Sequence, residues 1–454
     1  MKQLINILKM SKKEAYIKLI DFAPLLFLLI ILIPLSIRVN PQIIPRFLGQ
    51  TSHISQYGYL DLEHYIDIAE GLKDESFRTA FFPLWPFIIR KLHPYFNLDL
   101  YKTAIFSSSI IGLIAIIFSK YVLKTISSSN NIISISWILY VLSPITVFFF
   151  AGYTEPIFAL QSWALCLCMI KILSSSDKNN FNYLATSLSL LFLSIGLSLT
   201  RPTLIQTIFS VFAANLSLLM FSNNKSTRYL GKVLDISILI LLGTIIGYSI
   251  YGFSLINDGF RFFEPFYAQE AWQKSFGLRP IYLLTSRSSI IDLWGLYYPL
   301  ILYASYLHSH GIKFERFLVA SFYNLPFTLL YPPAGILFAL ITRKPVKYKF
   351  AFTSKIKHLS SSEFGSLEFL FLYAIFFSIS HSLICFLTQP DYMRSLGRYI
   401  FGQPYFYVAL SIFLDHSTVN LIDNKKSIAL GSILISSIYL FKNFVEFGSA
   451  RLSP

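Results

Sequence analysis

The sequence predicts an all-α polytopic transmembrane bundle of about eleven to twelve spans, with a large extracytoplasmic first loop carrying amphipathic helices. Three observations lead there. First, 54% of the 454 residues are hydrophobic and only 13% are charged, whereas a typical globular domain carries roughly 25% charged residues. Second, the apolar residues form unbroken runs: Phe22 to Ile37 and Tyr183 to Leu199 contain no charge. A bilayer core about 30 Å thick needs on the order of 20 such residues in a helix. Third, the runs are continuous rather than alternating, which excludes a transmembrane β-barrel. Disorder, collagen, coiled coil and a disulfide-stapled secreted scaffold are excluded by the same composition.

The chain reads as one transmembrane domain over residues 1–454. Its net charge of +15 belongs in cytoplasmic loops facing anionic lipid rather than on nucleic acid, because no basic-aromatic nucleic-acid module is present. Cys166, Cys168 and Cys385 lie in apolar runs without metal or redox spacing and read as packing residues. The apolar run after the basic N-terminus is too long for a cleaved signal peptide, so it reads as a retained first span.

Candidate spans are 19–38, 103–123, 132–150, 155–173, 181–200, 203–222, 233–256, 316–341, 367–388, 398–415 and 427–445. A further aromatic-rich stretch, 293–308, is either a span or a helix lying in the interface. Lys2, Lys9, Lys12, Lys13 and Lys18 place the N-terminus in the cytoplasm. Alternation from there puts 39–102 outside, and it puts the linkers bearing Lys120/Lys124, Lys171/Lys178 and Lys225/Arg228/Lys232 inside. The segment 343–358 holds six Lys or Arg and no acid, so it too is expected inside. Eleven spans, with 293–308 interfacial, satisfy this pattern. Two outer loops, 39–102 and 257–292, are too long and too aromatic to be simple turns.

The first outer loop contains Asp61-Leu62-Glu63-His64-Tyr65-Ile66-Asp67-Ile68-Ala69. At helical spacing Asp61, His64, Tyr65, Ile68 and Ala69 share one face, and Glu63, Asp67 and Glu70 share another. Asp61 is therefore an acid on a mostly apolar face, where it either performs chemistry or caps the helix. Ala80-Phe81-Phe82-Pro83-Leu84-Trp85-Pro86 follows, readable as a rigid platform on the headgroup layer or as an interfacial anchor. Tyr153-Thr154-Glu155-Pro156 puts an acid at the outer membrane border, which calls for a polar partner or a helix N-terminus. Thr200-Arg201-Pro202 sets a guanidinium at the same level, suited to bidentate phosphate recognition or to snorkelling. The second outer loop carries Ala268-Gln269-Glu270-Ala271-Trp272, and Arg394 and Arg398-Tyr399 lie at the mouth of a late span. No P-loop, nucleotide-binding glycine pattern or metal-binding Asp-x-Asp appears, which argues against a nucleotide-sugar donor.

The Asp61-x-x-His64-Tyr65-x-x-Ile68-Ala69 segment, followed by Ala80-Phe81-Phe82-Pro83-Leu84-Trp85-Pro86, resembles the first luminal loop of PIG-V-type mannosyltransferases, which belong to the GT-C superfamily of integral membrane glycosyltransferases. Tyr153 to Pro156, Thr200 to Pro202, Ala268 to Trp272 and Arg398-Tyr399 follow in the order of that family's later motifs. Leu60 and Thr203-Leu204 depart from its pattern. The resemblance implies transfer of a sugar, mannose by analogy, from a polyprenyl-phosphate donor to a glycan or glycolipid acceptor hydroxyl, with inversion. On this reading Asp61 is the general base, and Arg201 and Arg398 stabilise the departing phosphate. His64, Glu155, Gln269, Trp272 and Arg394 bind substrate or position the base. No metal and no cofactor enter the scheme, and a partner subunit is compatible with it. The expected location is a bacterial plasma membrane with the site facing outward. A transferase for another lipid-linked sugar, and a lipid-linked saccharide flippase, are the competing expectations.

Overall fold

The computed structural model describes residues 61–72, 75–176, 181–222, 226–272, 274, 277, 290–310, 312, 365–388, 396–416 and 435–440. The expected spans 19–38 and 316–341, the basic segment 343–358 and Arg394 lie outside these residues. Among the described residues there is no strand; every element is helical. Six helices are long and apolar enough to cross a membrane, by length and composition. They are α3 (Leu100–Ile126), α5 (Glu155–Ser174), α6 (Phe181–Thr200), α7 (Leu204–Phe221), α8 (Thr227–Asn257) and α11 (Glu368–Thr388). Two shorter helices precede them, α1 (Asp61–Glu70) and α2 (Leu84–Phe96), and α4 (Asn130–Val141) follows α3. The others are the short α9 (Glu264–Tyr267), α10 (Ile290–Ser309), α12 (Leu396–Phe401) and α13 (Pro404–His416).

The bundle has two distinguishable ends. At one end Lys232 of α8 reaches the carbonyls of Leu173 and Ser175, 2.8 and 2.5 Å away, and so satisfies orphan acceptors at the close of α5. Ser127 meets Asp415 at that end, and Ser222 meets Glu368. The basic linker residues Lys124, Lys171 and Arg228 all fall there, beside helix termini. Asp61, Glu155 and Arg398 meet at the other end.

Two expected spans are broken in the structure. The stretch 132–150 is helical only as α4, to Val141, and resumes as a 3-10 turn at Thr146–Phe150. Pro144 lacks the N–H that a continuing helix needs and disfavours the helical conformation at Ser143. The stretch 398–415 is likewise split into α12 and α13 at Gly402-Gln403, just before Pro404. The stretch 293–308, expected either as a span or as an interfacial helix, forms α10. Asp292 near the start of α10 accepts from the Gly397 amide beside Arg398, while Tyr306 near its end donates to Glu368. Helix α10 therefore runs from one end of the bundle to the other.

The segments after α1 and after α8 pack against each other, with α9 and the 3-10 turn Ala268–Trp272 resting on the 3-10 turn Ser76–Ala80. Tyr251 of α8 ties this junction by donating to the Thr79 carbonyl at 2.8 Å. The aromatic-proline segment does not sit on the surface as a platform or anchor. Trp85 and Phe82 are fully buried, and the Trp85 indole N–H donates to the Gly152 carbonyl at 2.7 Å. An indole with an internal acceptor gains its burial without losing its hydrogen bond. Gly152 itself sits at φ +81, where a side chain would strain the backbone and meet Leu62 of α1 at 2.9 Å.

Candidate acid and arginine site

Helix α1 buries Leu62, Tyr65, Ile66, Ile68 and Ala69. Tyr65, Ile68 and Ala69 of the expected face are among them, joined by Leu62 and Ile66, while Asp61 and His64 are half-buried. The C-terminal carbonyls of α1 are satisfied by Arg90 of α2, whose guanidinium donates to Ala69 and Ile68 at 2.6 and 3.0 Å. The Gly71 and Leu72 amides close the last turn onto Ile68 and Asp67. Arg78 fixes the loop that follows by pairing with Asp67 at 3.0 Å. With the C-terminal end of α1 held, Asp61 at its first position meets a fixed point on the bundle.

That point is Arg398. Its guanidinium meets the Asp61 carboxylate at 2.6 Å and also donates to Glu155 Oε1. The same oxygen of Glu155 accepts from Arg201 at 2.5 Å. Two acids and two guanidinia thus form a chain, Asp61–Arg398–Glu155–Arg201, with balanced formal charge. Burial divides the members: Glu155, Arg398 and Arg201 are 1%, 4% and 7% exposed, whereas the Asp61 side chain is 23% exposed. Three charges out of water are tolerable only because each is paired and hydrogen-bonded. Of the two carboxylates in this series, Asp61 is the one with exposed surface.

Neighbouring side chains hold the arginines in place. The stacked rings of Phe148 and Tyr153 lie 4.7 and 4.8 Å from the Arg398 guanidinium carbon, a cation–π arrangement that strengthens on desolvation. Arg201 lies between Phe158 and Tyr399 at 5.6 and 5.4 Å, and its Nε donates to Thr154 Oγ1 at 3.1 Å. Tyr65 of α1 reaches the same Thr154 hydroxyl at 3.4 Å, which joins α1 to the chain of charges a second time. Glu155 Oε2 and one terminal nitrogen of Arg201 find no hydrogen-bond partner among the described residues. The site therefore offers one spare acceptor and one spare donor to a bound polar group.

Of the residues the sequence singles out, the structure brings together Asp61, Glu155, Arg201 and Arg398. His64 stands one turn along α1, packed against the rings of Phe77 and Phe81 at 5.3 and 4.7 Å. Burial pushes its imidazole below the ordinary histidine value, opposed by the nearby charges of Asp61 and Asp67. Gln269 lies in the second loop, where its side chain is engaged by the Pro265 carbonyl and the Lys274 ammonium. Trp272 ends the 3-10 turn Ala268–Trp272; its side chain and Arg394 lie outside what is described. Among the described residues no three of His, Cys, Asp or Glu converge as a metal-ligating group.

Sequence reasoning misses the roles of Phe148, Tyr153, Tyr399 and Asp292. The first three lie in or beside quoted motifs, but nothing in spacing separates a ring that faces a guanidinium from one that packs in lipid or core. No family description, no curated protein and no solved structure matches this chain.

Proposed function

We propose that this chain is an integral membrane glycosyltransferase of the GT-C type. On this reading it moves a sugar, mannose by resemblance, from a polyprenyl-phosphate donor to an acceptor hydroxyl on the extracytoplasmic side. The observation that carries the reading is the division within the charged chain: a reachable Asp61 carboxylate attached to buried Arg398, Glu155 and Arg201. The gathering of basic linker residues at the opposite end supports a site facing away from the cytoplasm.

The acceptor oxygen attacks the anomeric carbon as the bond from that carbon to the phosphate oxygen breaks. The hydroxyl proton passes to Asp61, and the lipid phosphate leaves with the bonding pair, gaining one negative charge. Attack opposite the leaving group inverts the anomeric centre. Pairing of Asp61 with Arg398 couples the two events. Once Asp61 takes the proton it no longer neutralises Arg398, and the guanidinium is released to meet the charge growing on phosphate. Fixed donors aimed at developing charge are the largest usual source of rate enhancement. Glu155 stays charged throughout and keeps both arginines oriented.

The test is turnover by the purified protein with polyprenyl-phosphate-linked mannose, glucose and arabinose, reading donor consumption and the anomeric configuration of the product. Consumption of one donor with inversion is expected. If none of the three is consumed in the presence of a hydroxyl acceptor, the transferase reading fails.

A further inference from the structure

The site depends on where α12 sits, because Arg398 is its third residue and the partner of both acids. Helix α12 is only six residues long, too short to hold its own geometry in isolation. Its orientation has to come from its neighbours, and among α10, α11 and α13 it packs most heavily on α10. The two helices cross at close range: a side chain on Gly397 would run into Ile291, and one on Gly295 would meet Leu396 and Ile400 at 3.3 Å. At the crossing, the buried carboxylate of Asp292 accepts the Gly397 backbone N–H at 2.7 Å. The residue whose amide it holds immediately precedes Arg398.

We propose that Asp292 is a positioning residue, which anchors the first turn of α12 and thereby sets the reach of Arg398 toward Asp61 and Glu155. The link from Asp292 to Arg398 runs through the backbone of Gly397, whose amide N–H it accepts. An amide left without its acceptor in this buried crossing would tilt or fray α12. A displacement of about 1 Å at a group that stabilises a transition state can cost on the order of a hundredfold in rate. The kinetic half of the inference rests on the transferase reading; the structural half does not.

The experiment compares Asp292→Asn, which keeps an acceptor oxygen, with Asp292→Leu, which keeps bulk and loses it. Backbone hydrogen exchange over Leu396–Phe401 is read alongside steady-state kinetics on a lipid-phosphate sugar, normalised to folded protein. In the leucine variant, exchange over this segment rises about tenfold and kcat falls roughly ten- to a hundredfold, with the donor KM nearly held. The asparagine variant recovers most of both. A general structural role would instead speed exchange throughout α11 as well and leave kcat per folded enzyme unchanged. The inference is overturned by either of two results: unchanged exchange over Leu396–Phe401 in Asp292→Leu, or equal impairment of the asparagine and leucine variants. If the wild type consumes no donor, the transferase reading falls and the exchange comparison alone decides the role of Asp292.

Discussion

The carboxylate of Asp61 meets the guanidinium of Arg398 at 2.6 Å, joining α1 to α12 across more than three hundred residues of sequence. This contact turns a loop helix into a component of the site. It also sets how the acid would work, since Asp61 cannot gain a proton without altering the electrostatic partner of Arg398.

Asp61→Asn keeps the size of the side chain but cannot take a proton at neutral pH. Removing a general base costs about 10² to 10⁴ in rate, so donor consumption should fall at least a hundredfold. Arg398 keeps Glu155 in this variant, so the protein should remain folded with only a modest loss of thermal stability. Glu63→Gln, on the other face of α1, serves as the control and should turn over close to wild type. A dead Glu63→Gln variant, or a fully active Asp61→Asn variant, would remove Asp61 from the base position.

Glu155 is the shared counter-charge of both arginines, and its loss should matter more than loss of either one. In Glu155→Gln, Arg398 retains Asp61, while Arg201 retains only Thr154 and its flanking rings. Breaking a buried ion pair from one side costs about 3–5 kcal/mol because an uncompensated charge stays behind. Arg201→Met removes one cation but leaves Glu155 paired with Arg398. Melting in detergent should therefore rank Glu155→Gln below Arg201→Met, and the reverse order would show that Glu155 is not the hub.

Much of the bundle is legible in the sequence because spans need little more than length and low charge. The boundaries of α5, α6, α7 and α11 fall within a residue or so of the apolar runs that predict them. The breaks before Pro144 and Pro404 are harder to read. A continuous apolar stretch specifies burial, not an unbroken hydrogen-bond ladder, and the prolines lie inside such stretches. The four charged members of the site are legible individually, since each acid or arginine at an apolar border calls for a partner. Which acid pairs with which arginine is not legible, because Arg398 and Glu155 lie 243 residues apart. The hold of Asp292 on Gly397 leaves no local signature at all, being a backbone contact created by two helices crossing.

The placement of the two ends predicts a labelling pattern. Ser76 opens the 3-10 turn Ser76–Ala80 at the end of the bundle that holds the site, and Ser176 follows α5 at the basic end; both are exposed. With cysteine at each position in turn, a membrane-impermeant thiol reagent should modify Ser76→Cys on intact cells and Ser176→Cys only after permeabilisation. Labelling of both from the same side would overturn the assignment of the site to the extracytoplasmic face.

The last prediction concerns pH and His64. Burial between Phe77 and Phe81 is the main cause of its depressed pKa, partly opposed by Asp61 and Asp67. The folded protein therefore binds this proton less readily than the unfolded chain, whose histidine titrates near 6.5. Protonation of the unfolded state alone draws the equilibrium toward unfolding, so stability is intact above about pH 6.5 and declines as pH falls toward the depressed folded value. Glu63 has the opposite sign: burial, then repulsion from Asp67, raises its pKa. Its folded form takes up a proton first, which adds stability only at more acid pH. His64→Phe keeps an aromatic ring against Phe77 and Phe81 and removes the titration. The stability difference between wild type and His64→Phe, followed by thermal melting in detergent from pH 8 to pH 5, should shift against the wild type below about pH 6.5. A difference that stays flat across that range would show that His64 titrates equally in both states.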